Sequence, residues 1–231
     1  MVKAQRRIPS VSIFYIYRMP LLLRRNIAVQ TLLAIWQISE PDHWFRERLM
    51  LNDAEKAHID SIRHPQKKLH WLSSRLLIRE LLGNPNDFID LTSDDRGKPV
   101  IRNFPVDISI SHSFDLSALL LSEKLTVGVD IEKITEKVER IQFKFMATDE
   151  LHSLSGKNDR EQLYVYWCAK EAMYKWYGKK ELDFRAHLAV ARFDYRESGT
   201  LTGAIRKGDF HKELPVHFEK LGEYMMAYTV A

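Results

Sequence analysis

Three predicted strands follow one another between Asp107 and Glu132 without an intervening helix, and this run constrains the fold more than any other feature. Asp107 to Ser111 alternates polar and apolar side chains, which is the pattern of a half-buried strand. Ala118 to Ser122 and Leu125 to Glu132 are the next two predicted strands. Because strands and helices in this chain do not alternate one by one, the sequence predicts an α+β fold.

Helices and further strands are predicted on both sides of this run. Upstream, an apolar strand precedes three helices; downstream, a broken helical segment precedes a long helix and two late strands. The upstream elements are Thr31–Ile38, a short helix from Asp42, Ala54–Arg63 and Pro65–Leu82. The downstream elements are residues 138–155, a helix capped by Asn158 and ending at Gly178, Leu188–Asp194 and Tyr224–Val230. Both parts contain an apolar strand that ends in an acid, which is a faint sign of an internal repeat.

Length and composition indicate a globular protein. The chain has 231 residues, enough for one large domain or two small ones. Its single cysteine, Cys168, excludes an internal disulfide and a CxxC metal site, and it fits a reducing cytoplasm. No apolar run reaches the roughly 20 residues that a membrane span needs. We therefore expect a cytoplasmic protein without a membrane segment.

The net charge of +4 is concentrated at the N-terminus. Residues 1–25 contain six Lys or Arg and no acid, whereas acids slightly outnumber bases in the rest of the chain. A near-neutral body gives no support for nucleic-acid binding. The short apolar stretch after the basic start runs directly into Arg18 and lacks a cleavage motif, which argues against a signal peptide. Since Met19 offers a second start, we expect residues 1–18 to be a dispensable extension.

Two acids at the end of a predicted strand are candidate metal ligands. Asp130 and Glu132 lie two residues apart, so their side chains face the same side, about 6.5 Å apart along the strand. Two such carboxylates repel each other unless a cation or protons lie between them. Mg²⁺ takes oxygen ligands of this kind together with substrate phosphates. The alternative is that both are ordinary acids at a solvated strand end.

Other polar residues offer further chemistry. Glu171 and Lys175 lie four apart on one face of the long predicted helix, although a surface ion pair contributing about 0.2–0.5 kcal/mol has the same spacing. His112, beside Ser111 at the end of the alternating strand, could bind phosphate when charged or be an ordinary turn residue. Lys98 follows Gly97 on a predicted polar turn, where the backbone can approach a ligand.

Four motifs in this order resemble the 4′-phosphopantetheinyl transferases. They are Gly97-Lys-Pro99, Ile108-Ser-Ile-Ser-His-Ser113, Gly128-Val-Asp-Ile-Glu132 and Trp167-Cys-Ala-Lys-Glu-Ala-Met-Tyr-Lys175. The similarity is closest to the larger monomeric, surfactin-synthetase-activating type and covers roughly residues 30–230. It implies a pseudo-dimer of two similar α+β halves, with the active site in the cleft between them. On that basis we expect an N-terminal half over residues 19–122 and a C-terminal half over residues 123–231 that carries the metal site.

The resemblance also implies roles for individual residues. Asp130, Glu132 and Glu171 match metal ligands, and Glu171 and Lys175 match catalytic residues. The residues implied at coenzyme A are Lys56, His58, Arg96, Lys98, Ser111, His112 and Lys175. His58 stands where relatives commonly carry a permanent cation, for which Lys56 could compensate. Whether Glu171 is a metal ligand, a general base or both is left open by the sequence.

The implied activity is Mg²⁺-dependent transfer of 4′-phosphopantetheine from coenzyme A to a serine of an apo acyl or peptidyl carrier protein, with release of 3′,5′-ADP. The resemblance implies a monomer with an acidic, helical carrier as its partner. We predict that Arg140–Met146 helps to dock this carrier; the alternative is an amphipathic helix that packs Ile141, Phe145 and Met146 into the core. Two other functions stay open: a non-catalytic module that binds coenzyme A or a carrier, and a metal-dependent phosphohydrolase.

Overall fold

Three antiparallel sheets, of four, five and two strands, and six helices make up the part of the chain that this computed structural model describes, residues 21–83, 88–154 and 156–231. The predicted extension, residues 1–18, lies outside the described residues. The strands in chain order are β1 (Leu21–Ala28), β2 (Thr31–Gln37), β3 (Leu91–Ser93), β4 (Pro99–Ile101), β5 (Asp107–Ser113), β6 (Leu116–Ser122), β7 (Val127–Lys133), β8 (Leu188–Val190), β9 (Ser198–Lys207), β10 (Phe210–Leu221) and β11 (Tyr224–Val230). The helices are α1 (Asp42–Arg48), α2 (Asp53–Ser61), α3 (Pro65–Leu82), α4 (Lys137–Phe145), α5 (Thr148–Leu151) and α6 (Asp159–Tyr177).

The first sheet has the strand order β1-β2-β6-β5, and α3 packs against it. Pro65 occupies the first turn of α3, where its missing N–H is not needed, and Gly83 ends the helix in the left-handed conformation. One face of α3 is apolar and is buried against β2 and β6. This core includes Trp36, Leu72, Leu77 and Leu119. The short hairpin of β3 and β4 lies apart as a separate two-stranded sheet.

The second sheet has the strand order β7-β11-β10-β9-β8, and α6 lies across it. Gly128 allows the close approach of α6 to β7, because a Cβ there would lie only 2.0 Å from the carbonyl oxygen of Ala172. Consequently the side chains of β7 that follow at two-residue spacing, Asp130 and Glu132, face the C-terminal half of α6. The fold therefore places the predicted acids beside the predicted Glu171 and Lys175.

An apolar layer joins the two sheets. Leu33 and Ile35 of β2 and Leu120 of β6 pack against Val129 of β7 and Met226 of β11. All five side chains are completely buried. Burial of this surface contributes roughly 25 cal/mol per Å² of apolar area removed from water, so the two sheets stabilise each other.

The structure confirms the mixed α and β architecture, and it changes several predicted elements. The helix Pro65–Leu82 and the strand Tyr224–Val230 have the predicted bounds. The strand predicted over Leu188–Asp194 ends at Val190, and Asn158 makes no side-chain cap at the start of α6. Five strands not predicted from the sequence are also present: β1, β3, β4, β9 and β10. None of the helices in the described ranges combines the length and apolar composition needed to cross a bilayer.

Candidate active site

A ladder of side-chain hydrogen bonds joins β5 to β7. Four side chains of β5 each accept a hydrogen bond from a backbone N–H of β7, at a constant offset of 20 residues. The donor–acceptor pairs are Val127 to Asp107, Val129 to Ser109, Ile131 to Ser111 and Lys133 to Ser113, at 2.8, 2.9, 3.2 and 3.1 Å. The ladder satisfies N–H groups at the edge of β7 that would otherwise lack partners. The polar half of the alternating pattern in β5 therefore serves the contact between the sheets.

Two serines of the ladder also hold the predicted metal ligands. The hydroxyl of Ser111 donates to Oδ1 of Asp130 at 2.7 Å, and the hydroxyl of Ser113 donates to Oε2 of Glu132 at 2.7 Å. A serine hydroxyl has a single proton to donate. The resemblance implies that Ser111 contacts coenzyme A. In this structure its hydroxyl proton is instead donated to Asp130.

Helix α6 contributes a cation and a third carboxylate to the same place. The Lys175 ammonium donates to Oδ1 of Asp130 at 2.8 Å and to the carbonyl oxygen of Val129 at 3.0 Å. Glu171 lies one turn before Lys175 and feels the charges of both Asp130 and Glu132. The predicted pairing of Glu171 with Lys175 as a simple surface ion pair is therefore replaced by a cluster of three acids and one lysine.

Burial and mutual repulsion shift the pKa values of two acids in this cluster. The pKa of Glu171 is raised to about 7, chiefly by burial and next by the negative charge of Asp130, while Lys175 opposes the shift. The pKa of Glu132 is raised for the same two reasons, burial and Asp130, and the hydrogen bond from Ser113 opposes that rise. A cation among these carboxylates would relieve the repulsion that raises both values.

The carboxylate oxygens of this cluster are the ligand type that a hard divalent cation prefers. Oδ2 of Asp130 is buried and meets no hydrogen-bond donor among the described residues, which leaves a free oxygen ligand. The side-chain positions seen here do not bring three His, Cys, Asp or Glu groups of the described ranges together as a complete ligand set. The fit therefore depends on the free oxygen of Asp130 and on the carboxylates of Glu132 and Glu171 beside it.

His112 stacks on a second histidine that sequence reasoning did not single out. The rings of His112 and His70 lie 4.3 Å apart at 12°, and Nε2 of His70 donates to the carbonyl oxygen of Phe114 at 2.7 Å. Surrounding protein atoms lower the pKa of His112 to about 4, with His70 and Lys175 adding to the shift, although one edge of the ring stays open to solvent. The lowered pKa favours the neutral imidazole of His112 in the protein without ligand.

A basic cavity of about 240 Å³ opens next to the acid cluster. Its described lining contains five basic side chains and no acidic one, and they come from the β3–β4 turn and the end of α6. Two of the lining residues, Arg96 and Lys98, were predicted at the nucleotide, and Lys98 also pairs with Asp107 at 2.7 Å. The five basic residues are Arg96, Lys98, Lys175, Lys179 and Lys180. Sequence motifs did not identify Lys179 and Lys180, which follow directly after the last helical turn.

The two residues predicted on α2 do not join this cavity. Lys56 lines a second cavity of about 470 Å³ with Arg46, Met50 and Phe88, and it pairs with Asp53 at 3.2 Å. The exposed ring of His58 lies 5.5 Å from the ring of Trp71 on α3. The structure thus brings Arg96, Lys98, Ser111, His112 and Lys175 near the acids, and it leaves Lys56 and His58 apart.

A buried ion pair between Lys170 and Glu150 connects several elements of the C-terminal part of the chain, next to Glu171. Lys170 donates to Glu150 at 2.6 Å and to the carbonyl oxygens of Phe145 and Phe184 at 2.7 and 2.9 Å. Glu150 in turn accepts the backbone N–H of Val190 at 3.0 Å. The network therefore ties α4, α5, α6 and β8 together around the turn of α6 that carries Glu171.

Comparison with known families finds a match in this region. Residues 126–229 match the family model of the 4′-phosphopantetheinyl transferase superfamily. The match begins just before β7 and ends within β11, so it includes the acid cluster and the whole of α6. It confirms the resemblance for the part of the chain that carries the last two of the four sequence motifs.

Individual relatives agree with the family match. A 4′-phosphopantetheinyl transferase of Bacillus pumilus, psf-1, is 33% identical over 109 residues, 46% of each chain. The 4′-phosphopantetheinyl transferase gsp of Aneurinibacillus migulanus is 32% identical over 115 residues, 47% of this chain and 48% of that protein. A Synechocystis protein, slr0495, is 30% identical over 143 residues, 56% of this chain and 58% of that protein. This chain thus spans about half the length of the relatives that it matches.

Proposed function

We propose that this protein transfers the 4′-phosphopantetheine group of coenzyme A to a serine hydroxyl of an apo carrier protein and releases 3′,5′-ADP. The observation that carries the proposal is the position of Lys175, which lines the basic cavity and also donates to Asp130. One residue thus links an anion-binding cavity to a cluster of carboxylates. Phosphoryl-type transfer needs both, because its catalysis is mainly positioning and charge neutralisation.

The basic cavity is the proposed site for the phosphates of coenzyme A. Arg96 and Lys98 on one wall and Lys179 and Lys180 on the other surround a space that an anion can enter. Such a concentration of positive charge favours a ligand with several phosphates. Asp130, Glu132 and Glu171 would hold the Mg²⁺, which when bound supplies a Lewis acid at the pyrophosphate oxygens.

The transfer step needs a base for the serine proton and a positive charge for the leaving group. The serine oxygen forms a bond to the β-phosphorus, and the bond from that phosphorus to the bridging oxygen of 3′,5′-ADP breaks. Glu171, whose pKa is near 7, accepts the serine proton, and Lys175 offsets the charge that develops on the departing phosphate. A carboxylate bound to a metal is a weaker base, so the two roles proposed for Glu171 compete.

The architecture supports the proposed division into two halves. Residues 19–122 would form one half with β1, β2, β5 and β6, and residues 123–231 the other with β7 to β11. In each half a long helix packs across an antiparallel sheet, α3 on the first and α6 on the second. The proposed cleft lies beside the ladder between β5 and β7, within a single chain. A monomer would therefore hold a complete site.

We also propose that the outer face of α4 docks an acidic carrier protein. Phe145 is buried and Ile141 half-buried, as the core-packing alternative requires, whereas Arg140, Phe143 and Lys144 face outward. Phe143 is 64% exposed, which is unusual for a large apolar side chain between two cations. The helix follows β7 directly, so a carrier on this face would reach the acid cluster.

The test is the intact mass of an apo carrier protein after incubation with this protein, coenzyme A and Mg²⁺. We expect a mass gain of one phosphopantetheine arm, and a loss of rate of about 100-fold or more in Glu171→Gln, because proton transfer contributes on that order. Glu161→Gln on the same helix, which removes a carboxylate paired with Lys220 at 3.3 Å, is the matched control and should retain the wild-type rate.

Other outcomes separate the alternative functions. Coenzyme A binding without any mass gain on several carriers would contradict transfer and favour a binding module. Release of 3′,5′-ADP from coenzyme A without a carrier would instead favour hydrolysis. Metal binding that survives in Glu171→Gln while the rate falls would assign this residue to proton transfer rather than to the metal.

A further inference from the structure

Each hydroxyl of Ser111 and Ser113 is engaged in two directions at once. Each accepts a hydrogen bond from a backbone N–H of β7, and each donates its proton to a carboxylate of the same strand. Both serines are 6% exposed, so water does not compete appreciably for these bonds. The hydroxyls therefore link each carboxylate to the N–H of the residue that follows it in β7.

Ser109 makes the ladder hydrogen bond to β7 but donates to no carboxylate of the described residues. It is 2% exposed and accepts the N–H of Val129 at 2.9 Å, as its neighbours in the ladder do with their own partners. The residue after Val129 is Asp130, whose Oδ1 is held by Ser111 and Lys175. Ser109 thus contributes to the contact between the sheets without a bond to a carboxylate.

The geometry points to Ser111 and Ser113 as positioning residues that orient Asp130 and Glu132 for a divalent cation. The inference rests on the proposed function, because that function supplies the cation. In Asp130, Oδ1 accepts the serine proton and Oδ2 meets no hydrogen-bond donor among the described residues; in Glu132, Oε2 accepts the serine proton. Fixing the carboxylate before the metal arrives lowers the entropy lost on binding, and removal of such a partner typically weakens metal affinity about 10- to 100-fold.

The sheet that contains β5 therefore orients the proposed metal ligands without supplying a ligand itself. β5 belongs to the first sheet, whereas both carboxylates belong to the second. Any change in the register of β5 against β7 would move the serine donors away from the acids. Assembly of the two halves and preparation of the metal site are thus the same event.

The experiment measures binding of Mn²⁺, by electron paramagnetic resonance of the free ion, with coenzyme A present and no carrier. We expect Ser113→Ala to weaken Mn²⁺ binding about 10-fold. Ser109→Ala is the matched control: it loses the same ladder contact and should lower the thermal midpoint similarly without changing Mn²⁺ affinity. Ser111→Ala provides a second variant in case Ser113→Ala does not fold.

A double-mutant cycle with Glu132→Gln tests the route of the effect. If Ser113 acts through Glu132, adding Ser113→Ala to Glu132→Gln causes no further loss of Mn²⁺ affinity. Additive losses, or equal Mn²⁺ affinities for Ser113→Ala and Ser109→Ala, would overturn the inference while phosphopantetheine transfer by the wild type stands. Absence of both Mn²⁺ binding and transfer in the wild type would reject the proposed function itself, and the inference with it.

Discussion

Individual side chains in this protein have surroundings that oppose their usual charge state. The ring of His112 lies against His70 and near Lys175, and both would repel a positive imidazole. Glu171 lies among other carboxylates and is partly withdrawn from water. Lys170 is fully buried, but three oxygen acceptors surround its ammonium group. Each of these surroundings has a consequence that can be measured.

The lowered pKa of His112 makes the protein less stable in mild acid. Its pKa is about 4 in the folded state and near 6.5 when unfolded, so between these values the unfolded chain binds a proton that the folded chain does not. Stability contributed by this group is complete above pH 6.5 and falls as the pH drops towards 4. Solvent around the exposed part of the ring reduces the size of this loss. Denaturant unfolding of the wild type and His112→Gln at pH 7 and pH 5 measures it. An equal loss in both proteins would contradict the assignment.

Replacing Lys170 should destabilise the fold strongly. In Lys170→Met the carboxylate of Glu150 stays buried without its cation, and breaking a buried pair in this way costs about 3–5 kcal/mol. The measurement is the free energy of unfolding in urea. Lys220→Met, which breaks the partly exposed pair with Glu161, serves as the control and should cost at most about 1 kcal/mol. If the free energy of unfolding falls as little as in the control, the buried pair does not stabilise the fold strongly.

At the scale of elements, the distance between α6 and β7 determines the geometry of the acid cluster. The strand supplies Asp130 and Glu132, and the helix supplies Glu171 and Lys175. Gly128 sets this distance, since no side chain separates the strand from the helix backbone. The ion pair between Lys175 and Asp130 depends on that contact.

We therefore expect Gly128→Ala to impair both stability and transfer. The new methyl group would lie 2.0 Å from the carbonyl oxygen of Ala172 and 2.7 Å from the backbone nitrogen of Trp176, so the helix must move. Overpacking of this kind costs about 1–3 kcal/mol. Urea unfolding and the rate of carrier modification would be measured together. A variant with wild-type stability and rate would show that the close approach is not required.

Sequence patterns predicted the elements that carry the acids. The spacing of apolar residues within one strand or helix shows which of its faces is buried. β7 was predicted over Leu125–Glu132 and spans Val127–Lys133, and α6 ends at Tyr177, next to the predicted end at Gly178. The hairpin of β9 and β10 was missed because Pro215 and glycines interrupt its alternation, although Pro215 is tolerated within β10. The role of the β5 serines could not be predicted, because alternation indicates a polar face without saying that another strand covers it.

At the scale of the whole molecule, the candidate site is assembled from both parts of the chain. Arg96 and Lys98 come from the first part of the chain, and Lys175 and Lys179 come from the second. Sequence motifs located the first three of these residues, but only the fold shows that they line one cavity. Helix α4, whose outer face is the proposed carrier surface, packs against α6.

A carrier surface on α4 predicts a selective effect of Phe143→Asp. The exposed ring is lost and a negative charge faces an acidic partner, so the KM for the carrier should rise about 10-fold, equivalent to about 1.4 kcal/mol. The KM for coenzyme A should stay unchanged, because the basic cavity is lined by other elements. Steady-state kinetics with each substrate varied in turn gives both values. An unchanged KM for the carrier would contradict docking at this helix.

The ladder between β5 and β7 has a consequence for how this chain can vary over evolutionary time. Positions 107, 109, 111 and 113 carry small polar residues that a hydropathy profile would class as surface, where substitution is usually free. Each of these side chains accepts a hydrogen bond from one backbone N–H of β7. An apolar or bulky replacement removes this acceptor without offering another. In a library of all single substitutions, these four polar positions should tolerate as little change as the apolar core.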